Sequence, residues 1–518
     1  MLRTPERAEH SERRADYAAP TMAARRRLCA GAVGIALAIG PVTVSTDASW
    51  QAAPQPVDLT VMTFNIWYGA TVTHGLDEVV RAIRRAGADV VGLQEPYART
   101  RRIAKALGFH ASPRLHLVSR FPILEPEGSN GDWAYLLLAP GEVAAVANTH
   151  LTCCPYTPYR IVHRGFTRAE AMGQERRTRL DQIRDHLSAL EPLLSAGVPT
   201  FFTGDFNAPS NRDWNDAAVR ARALPYRMRW PVSLAMERAG FGDSYREVHP
   251  DPVADPGFTW TAGYPVPYVH PWEVFDRIDF VWNAGPVQTN TSRVIGESHA
   301  NADVPIRPWP SDHRAVASSF TVTPAPMPVS VVAEGESARL GLPLRARFRA
   351  DGTGDHVILT ASGSTTPLAD LPTGSDPDGS VAFDTGQLSQ GAYDVVLLDA
   401  TNAELSRDSV VLIAEGQQTA LTVLDPTLEG DQRLEVRWAF APGNQFDWLA
   451  VFRAGAAAKG DPYLAWRYTE ARIDGTSTIG PGARGPAPWP LKPGRYEVRL
   501  CLDDSYRCRG SAPFRVLV

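Results

Sequence analysis

Cysteine is scarce in this chain, with 5 in 518 residues. None of them stands in the paired C-x-x-C spacing of a zinc site, which speaks against a cysteine-built metal centre. Long hydrophobic runs are missing as well: after the first fifty residues nothing approaches the roughly 20 apolar residues that a membrane-crossing helix needs. Positive charge is not in excess. Removing the 7 Lys+Arg and 5 Asp+Glu of residues 1–50 from totals of 52 and 57 leaves 45 and 52, a formal charge of −7. A mildly acidic chain has no bulk attraction for nucleic acid or anionic membranes, so nucleic acid as a partner is allowed but not favoured by charge.

Residues 1–50 differ from the rest. Arg25, Arg26 and Arg27 lead into the apolar "LCAGAVGIALAIG" and then a polar stretch, the pattern of a secretory leader. The expectation is a secreted protein, extracellular or periplasmic. "RRR" partly matches twin-arginine export, and Met22 is an alternative start. Export permits disulfides. Cys501 and Cys508 flank a turn in "RLCLDDSYRCRG" and are placed to close a hairpin, worth about 2.5 kcal/mol in the chain-entropy model. For the adjacent Cys153 and Cys154, a vicinal disulfide and two thiols both remain open.

What is present is enough chain for two to four domains. From 57 to 323, short apolar strands ("LTVMTF", "ADVVGL", "AYLLLA", "EVAAVANT", "VPTFFT", "RIDFVW", "AVASSFTV") alternate with helices and loops. Leu76, Val79, Val80 and Ile83 recur at helical spacing, as do Leu180, Ile183, Leu187, Leu190 and Leu194. This predicts an α/β layered domain. The proline-rich segment 324–330 reads as a linker. Beyond it the composition turns all-β and repeats itself: "QGAYDVVLLD" resembles "PGRYEVRLCLD", Gly391 and Tyr393 answer to Gly494 and Tyr496, and Asp355 answers to Asp447. Two β-sandwich modules of immunoglobulin-like size are expected, over 331–415 and 418–518.

The chemically capable residues of the first domain gather at strand ends. Asn65 closes the first strand, Glu95 follows "DVVGLQ", His150 ends "VANTH", and "TGDFNAPS" carries Asp205 and Asn207. Asp279 lies in "DRIDFVW", and Asp312 and His313 precede the last strand. Alternation puts Asp279 and Asp276 on opposite faces, so one of the two faces a common site. A lone strand-end Asp or Asn usually caps a turn; so many together, with several acids, imply a cation. Asn65, Glu95 and Asp312 are hard oxygen ligands that suit magnesium. With an oriented water and a carboxylate-held histidine, these are the parts that phosphate-ester hydrolysis requires.

Taken in order, "TFNIW", "VVGLQE", "SRFPI", "NTHL", "TGDFNAPS", "RIDFVW" and "SDHRAV" resemble the endonuclease/exonuclease/phosphatase superfamily, whose fold is that of deoxyribonuclease I. The resemblance covers 57–323. It implies a four-layered α/β sandwich, followed here by the two β modules, with the site at one rim of its two sheets. It also implies that Asn65, Glu95 and Asp312 hold the divalent metal, magnesium with manganese or calcium as alternatives. Asp205 would orient or deprotonate the attacking water, Asn207 and His150 would contact phosphate, and His313 would pair with Asp279. Aspartate and histidine both remain open as the formal base.

Substrate is left open among nucleic acid, phospholipid headgroup, inositol phosphate and nucleotide, since fold does not choose among them. The aromatic, basic segment after His150 is expected to shape substrate entry through Tyr156, Tyr159 and Arg160. Arg176, Arg177, Arg179 and Arg184 read as the solvated face of a helix. The β modules read as units for attachment or spacing, with a cell-surface ligand as their partner, so truncation after Thr323 should leave an active domain. A catalytically silent binding protein on the same fold is the alternative.

Overall fold

Parity along the strands sets the layering. In β1 (Val57–Asn65), Leu59 and Val61 point one way and Met62 and Phe64 the other, and all four are buried. A strand apolar on both faces must be covered on both. Leu59 and Val61 join Val90, Val146, Phe201, Val281 and Phe320 in a core between two sheets. Met62 and Phe64 pack instead with Val79, Val80 and Ile83 of α1 (Leu76–Ala86), outside the first sheet.

The structure, a computed structural model, describes residues 54–517 apart from 74, 458–461 and 488; the expected leader lies outside the described residues. The first sheet has seven strands. At its centre β1 pairs in parallel with β2 (Val90–Gln94), and antiparallel with the strand that ends the domain, Ala315–Val322. The second sheet is centred on β3 (Glu142–His150), β4 (Thr200–Asp205) and β5 (Asp279–Ala284). Its outer face is covered by the helix Arg179–Ser195, whose Leu180, Ile183, Leu190 and Leu193 meet Ala145, Phe202 and Trp282. Helix, sheet, sheet and helix make the expected four layers.

Close approach of the sheets depends on Gly92. A Cβ there would come within 2.0 Å of Thr203 Oγ1 and 2.4 Å of Asn148 Oδ1. In that space Gln94 Nε2 and Thr203 Oγ1 donate to Asn148 Oδ1 at 2.8 and 2.9 Å, so the polar groups between the sheets are paired.

The segment 324–330, expected to be a linker, is bound to this domain. Ala325–Pro326 adds a short antiparallel pairing to β3, and Met327 is buried, its N–H donating to Gly141 O at 2.7 Å. Prolines hide the period but do not prevent an edge pairing anchored by one apolar side chain.

The remainder is all-β: each module packs a three-stranded sheet on a five-stranded one, and both modules connect their strands in the same order. The repeat extends to hydrogen bonds. Tyr393 Oη donates to Ser389 O at 2.7 Å and Tyr496 Oη to Lys492 O at 2.6 Å. Asp355 accepts from Gly352 N and Asp447 from Asn444 N. Cys501 and Cys508 form a disulfide at the loop end of the hairpin Gly494–Cys501/Cys508–Val516, while the Sγ atoms of Cys153 and Cys154 lie 2.8 Å apart.

Candidate active site

The same parity that buries Leu59, Val61, Phe201 and Val281 between the sheets carries Asn65, Asp205 and Asp279 to that inner side at one rim. Register does the rest. On the second sheet His150 and Asp279 are both Cα partners of Asp205, one on the parallel neighbour and one on the antiparallel neighbour. Opposed residues point to the same face, so three polar side chains lie abreast.

Asp205 is the hub. Its Oδ2 accepts from Asn65 Nδ2 at 3.0 Å, lies 3.4 Å from His150 Nε2 and 3.7 Å from His313 Nε2. Its Oδ1 accepts from Asn207 N at 2.9 Å. His313 turns its other nitrogen to Asp279 Oδ2 at 3.0 Å. Burial, and then the neighbouring Asp279, push the Asp205 carboxyl above the usual range, opposed by His313 and His150. For His313, burial alone would lower the pKa; Asp279 and Asp205 more than reverse this and lift it to about 10. The imidazolium is therefore a donor at neutral pH, held between two acids.

Three residues without obvious chemistry build this frame. Ser311 Oγ donates to Asn65 O at 2.6 Å and accepts from His313 N at 3.1 Å, tying the end of β1 to the segment that enters the neighbouring strand of the same sheet. Thr259 Oγ1 accepts from the N–H groups of Ile278 and Asp279, and the Trp260 ring lies 4.9 Å from that of His313. Sequence reasoning missed Thr259 and Trp260 because "FTWTAG" contains no titratable group and no strand periodicity. Ser311 stands in "SDHRAV", where nothing in the sequence marks its hydroxyl as structural.

Asn207 departs from the strand geometry that alternation suggests. β4 ends at Asp205, and Asn207 is left-handed (φ 48°), with Nδ2 donating to Leu151 O at 3.0 Å. A turn, not a pleat, places it beside Asp205. Asp276 is directed elsewhere, accepting from Tyr156 Oη at 3.0 Å, Trp214 Nε1 at 2.8 Å and Arg222 Nη2 at 2.9 Å.

Tyr156 and Tyr159, expected to shape substrate entry, have their hydroxyls engaged with other side chains. The Tyr156 hydroxyl holds buried Asp276, and the Tyr159 hydroxyl donates to Glu273 and accepts from Trp260 Nε1. The reason is local: both lie in or beside the short helix Thr157–Arg164, whose inner side faces these acids. Arg160, on the same helix, is half-buried. Arg179 departs from the expected solvated face, since it is fully buried. Thr178 interrupts the helical run, and the guanidinium turns inward to Glu175 Oε1 at 2.6 Å and to the carbonyls of Cys153 and Pro155.

Whether these residues fit a divalent cation turns on donor chemistry. Asn65 offers an amide oxygen, which already accepts from Trp67 N at 3.0 Å and keeps a lone pair. Glu95 is half-buried with Oε2 accepting from Tyr68 N at 2.9 Å, and Asp312 is buried beside Ser311 and His313. An all-oxygen set fits magnesium. A second grouping of ligand-capable atoms, Asp205, Asp279 and His313, lies within 4.8 Å of one another. Of the two groupings, the all-oxygen one has the donor chemistry that suits magnesium. A larger surface hollow, about 340 Å³ beside Ser337–Arg339 and Ile413–Gly416, holds no comparable constellation.

The chain is similar to several known proteins. The Endonuclease/Exonuclease/phosphatase family profile matches residues 62–313. An uncharacterized protein of Caenorhabditis elegans, F14F9.5, is 30% identical over 292 residues, covering 50% of this chain and 90% of that protein. Among solved structures, an endonuclease/exonuclease/phosphatase from Beutenbergia cavernae is 18% identical, covering 68% of this chain and 100% of its own, with a TM-score of 0.33. An AP endonuclease from Archaeoglobus fulgidus is 16% identical over 50% of this chain and 98% of its own, also at 0.33. By profile and by relative, the chain belongs to the endonuclease/exonuclease/phosphatase family.

Proposed function

We propose that this protein is an exported, divalent-metal-dependent phosphoesterase. The observation that supports it most is the single rung on which Asp205 is met by His150 and Asp279, with His313 bridging the two acids. Asp205 receives hydrogen bonds from Asn65 and Asn207, which orient its carboxylate toward an attacking water. His313, fixed by Asp279, donates to the phosphoryl group, and His150 stands beside it at the open rim. Asn65, Glu95 and Asp312 would hold magnesium, which when bound neutralises charge on the phosphoryl oxygens.

Hydrolysis by the purified full chain tests this, with magnesium and with chelator. The panel is bis(p-nitrophenyl) phosphate, a nucleic acid, sphingomyelin, an inositol phosphate and a mononucleotide, with Asp205→Ala alongside. A magnesium-dependent signal on one class, lost in the variant, establishes the enzyme and its substrate class together; silence on all five transfers weight to a binding role. Export is tested by the N-terminal residue of the secreted protein.

A further inference from the structure

The loop that carries Glu95 has an unusual course. Glu95, Tyr97 and Ala98 are all left-handed, with φ of 56°, 51° and 58°, and none is glycine. Such residues persist only where their surroundings over-determine them. Part of that determination is local: Gly69 N donates to Glu95 O at 2.7 Å and Arg99 N to Pro96 O at 3.1 Å.

The rest comes from the other end of the chain. Ala98 N donates to Asp503 Oδ2, and Arg507 donates to Tyr97 O. Both belong to the tip of the disulfide-closed hairpin of the second β module. Asp503 is itself fixed, its Oδ1 lying 2.8 Å from His116 Nε2 and its N–H donating to Asp447 Oδ1 at 3.0 Å. The Asp503 and His116 side chains are 1% and 3% exposed, so this contact belongs to a sealed interface. His116 in turn adjoins β2, whose Leu93 N donates to His116 O at 2.9 Å. Alongside, a crevice of about 30 Å³ is lined by Glu95, Tyr97 and His150 from one side and Phe446, Asp503 and Asp504 from the other.

We propose that the hairpin tip of the second β module is a working part of the catalytic site, with Asp503 and Arg507 as positioning residues that hold the Glu95 loop. This rests on reading Glu95 as a metal ligand. It replaces a role in attachment or spacing alone for that module, and a chain cut after Thr323 would keep the catalytic residues but lose the clamp.

The test uses the full chain. Magnesium affinity is measured by titration calorimetry, and hydrogen exchange is followed at the amides of 97–99, in Asp503→Ala, Asp503→Asn, Arg507→Gln and Glu95→Gln. Asp503→Ala and Arg507→Gln should speed exchange and weaken magnesium about tenfold, as loss of an outer partner of a metal site does. Asp503→Asn, which keeps an acceptor oxygen, should recover part of both. Unchanged exchange and affinity in Asp503→Ala and Arg507→Gln, with affinity lost in Glu95→Gln, overturns the proposal. Full affinity in Glu95→Gln overturns the reading of Glu95 instead, and exchange then decides the clamp. If Asp503→Ala does not fold, exposed Arg507 carries the test alone.

Discussion

Asp205 and Asp279 are register partners on adjacent antiparallel strands, two buried carboxylates abreast with one imidazole serving both. Like charges so placed are tolerated only with compensation, and His313 supplies it. The proposed function gives the two acids separable tasks, one handling the attacking water and one holding a histidine.

Asp205→Asn removes the group proposed to handle the water while keeping its shape. We expect kcat to fall about a thousandfold, within the range for loss of a general base, with an unchanged circular dichroism spectrum. Turnover within a few-fold of the native protein would remove Asp205 from this role.

Glu95→Gln should act through the cation. The half-saturating magnesium concentration should rise roughly a hundredfold, the upper end of what removing even an outer partner of a metal does, and excess magnesium should restore much of the rate. An unshifted magnesium curve would place the ion elsewhere.

Stability depends on a buried ionic network beside the site. Arg277 donates to Asp243 Oδ1 at 2.8 Å and Oδ2 at 2.7 Å, and Arg246 Nε to Asp213 at 2.6 Å. Arg277→Ala leaves buried acids without their cation and should cost about 3–5 kcal/mol, measured by urea unfolding. A loss below about 1 kcal/mol, the scale of a surface pair, would show that water or Arg246 compensates.

A different pair of buried acids contributes to the pH response. Burial, then Glu336, push Glu125 from 4.5 up to about 7, opposed by Ser112, Arg114 and Arg101. Burial likewise pushes Asp408 from 3.8 up to about 8, with Glu336 and Glu125 adding to it and the N–H groups of Ala333 and Ser409 opposing. Both pKa values are raised by folding, so the native state binds more protons. The stabilising contribution is complete below about pH 4 and is lost as pH rises through 7 to 8. The thermal midpoint should therefore fall across that window, and Glu125→Gln with Asp408→Asn should flatten the fall. A midpoint that climbs from pH 5 to pH 8 in the native chain would contradict this.

Much of the fold was legible because its strands and helices are simple in period. Met62 and Phe64 against Leu59 and Val61, or Leu180 and Ile183 along their helix, state their faces in the sequence. The strand-end residues were legible for the same reason, since a polar group closing an apolar strand stands out. Thr259 and Trp260 were not, because their contribution is a hydroxyl and a ring placed by a loop. The partners of the Tyr156 and Tyr159 hydroxyls were not legible because these acids, Asp276 and Glu273, lie more than a hundred residues away. The clamp on the Glu95 loop had no sequence signal: Asp503 and His116 are separated by 387 positions and meet only through the docking of a whole module.

One rung of sheet joins His150, Asp205 and Asp279, and their spacing is therefore dictated by interstrand hydrogen bonding, near 4.8 Å from strand to strand. Exchange of surface loops cannot change that ruler. On the proposed function the reacting centre is a fixed gauge, and any preference for one ester over another would be written outside that rung, as in the hairpin tip 502–507 that holds the Glu95 loop.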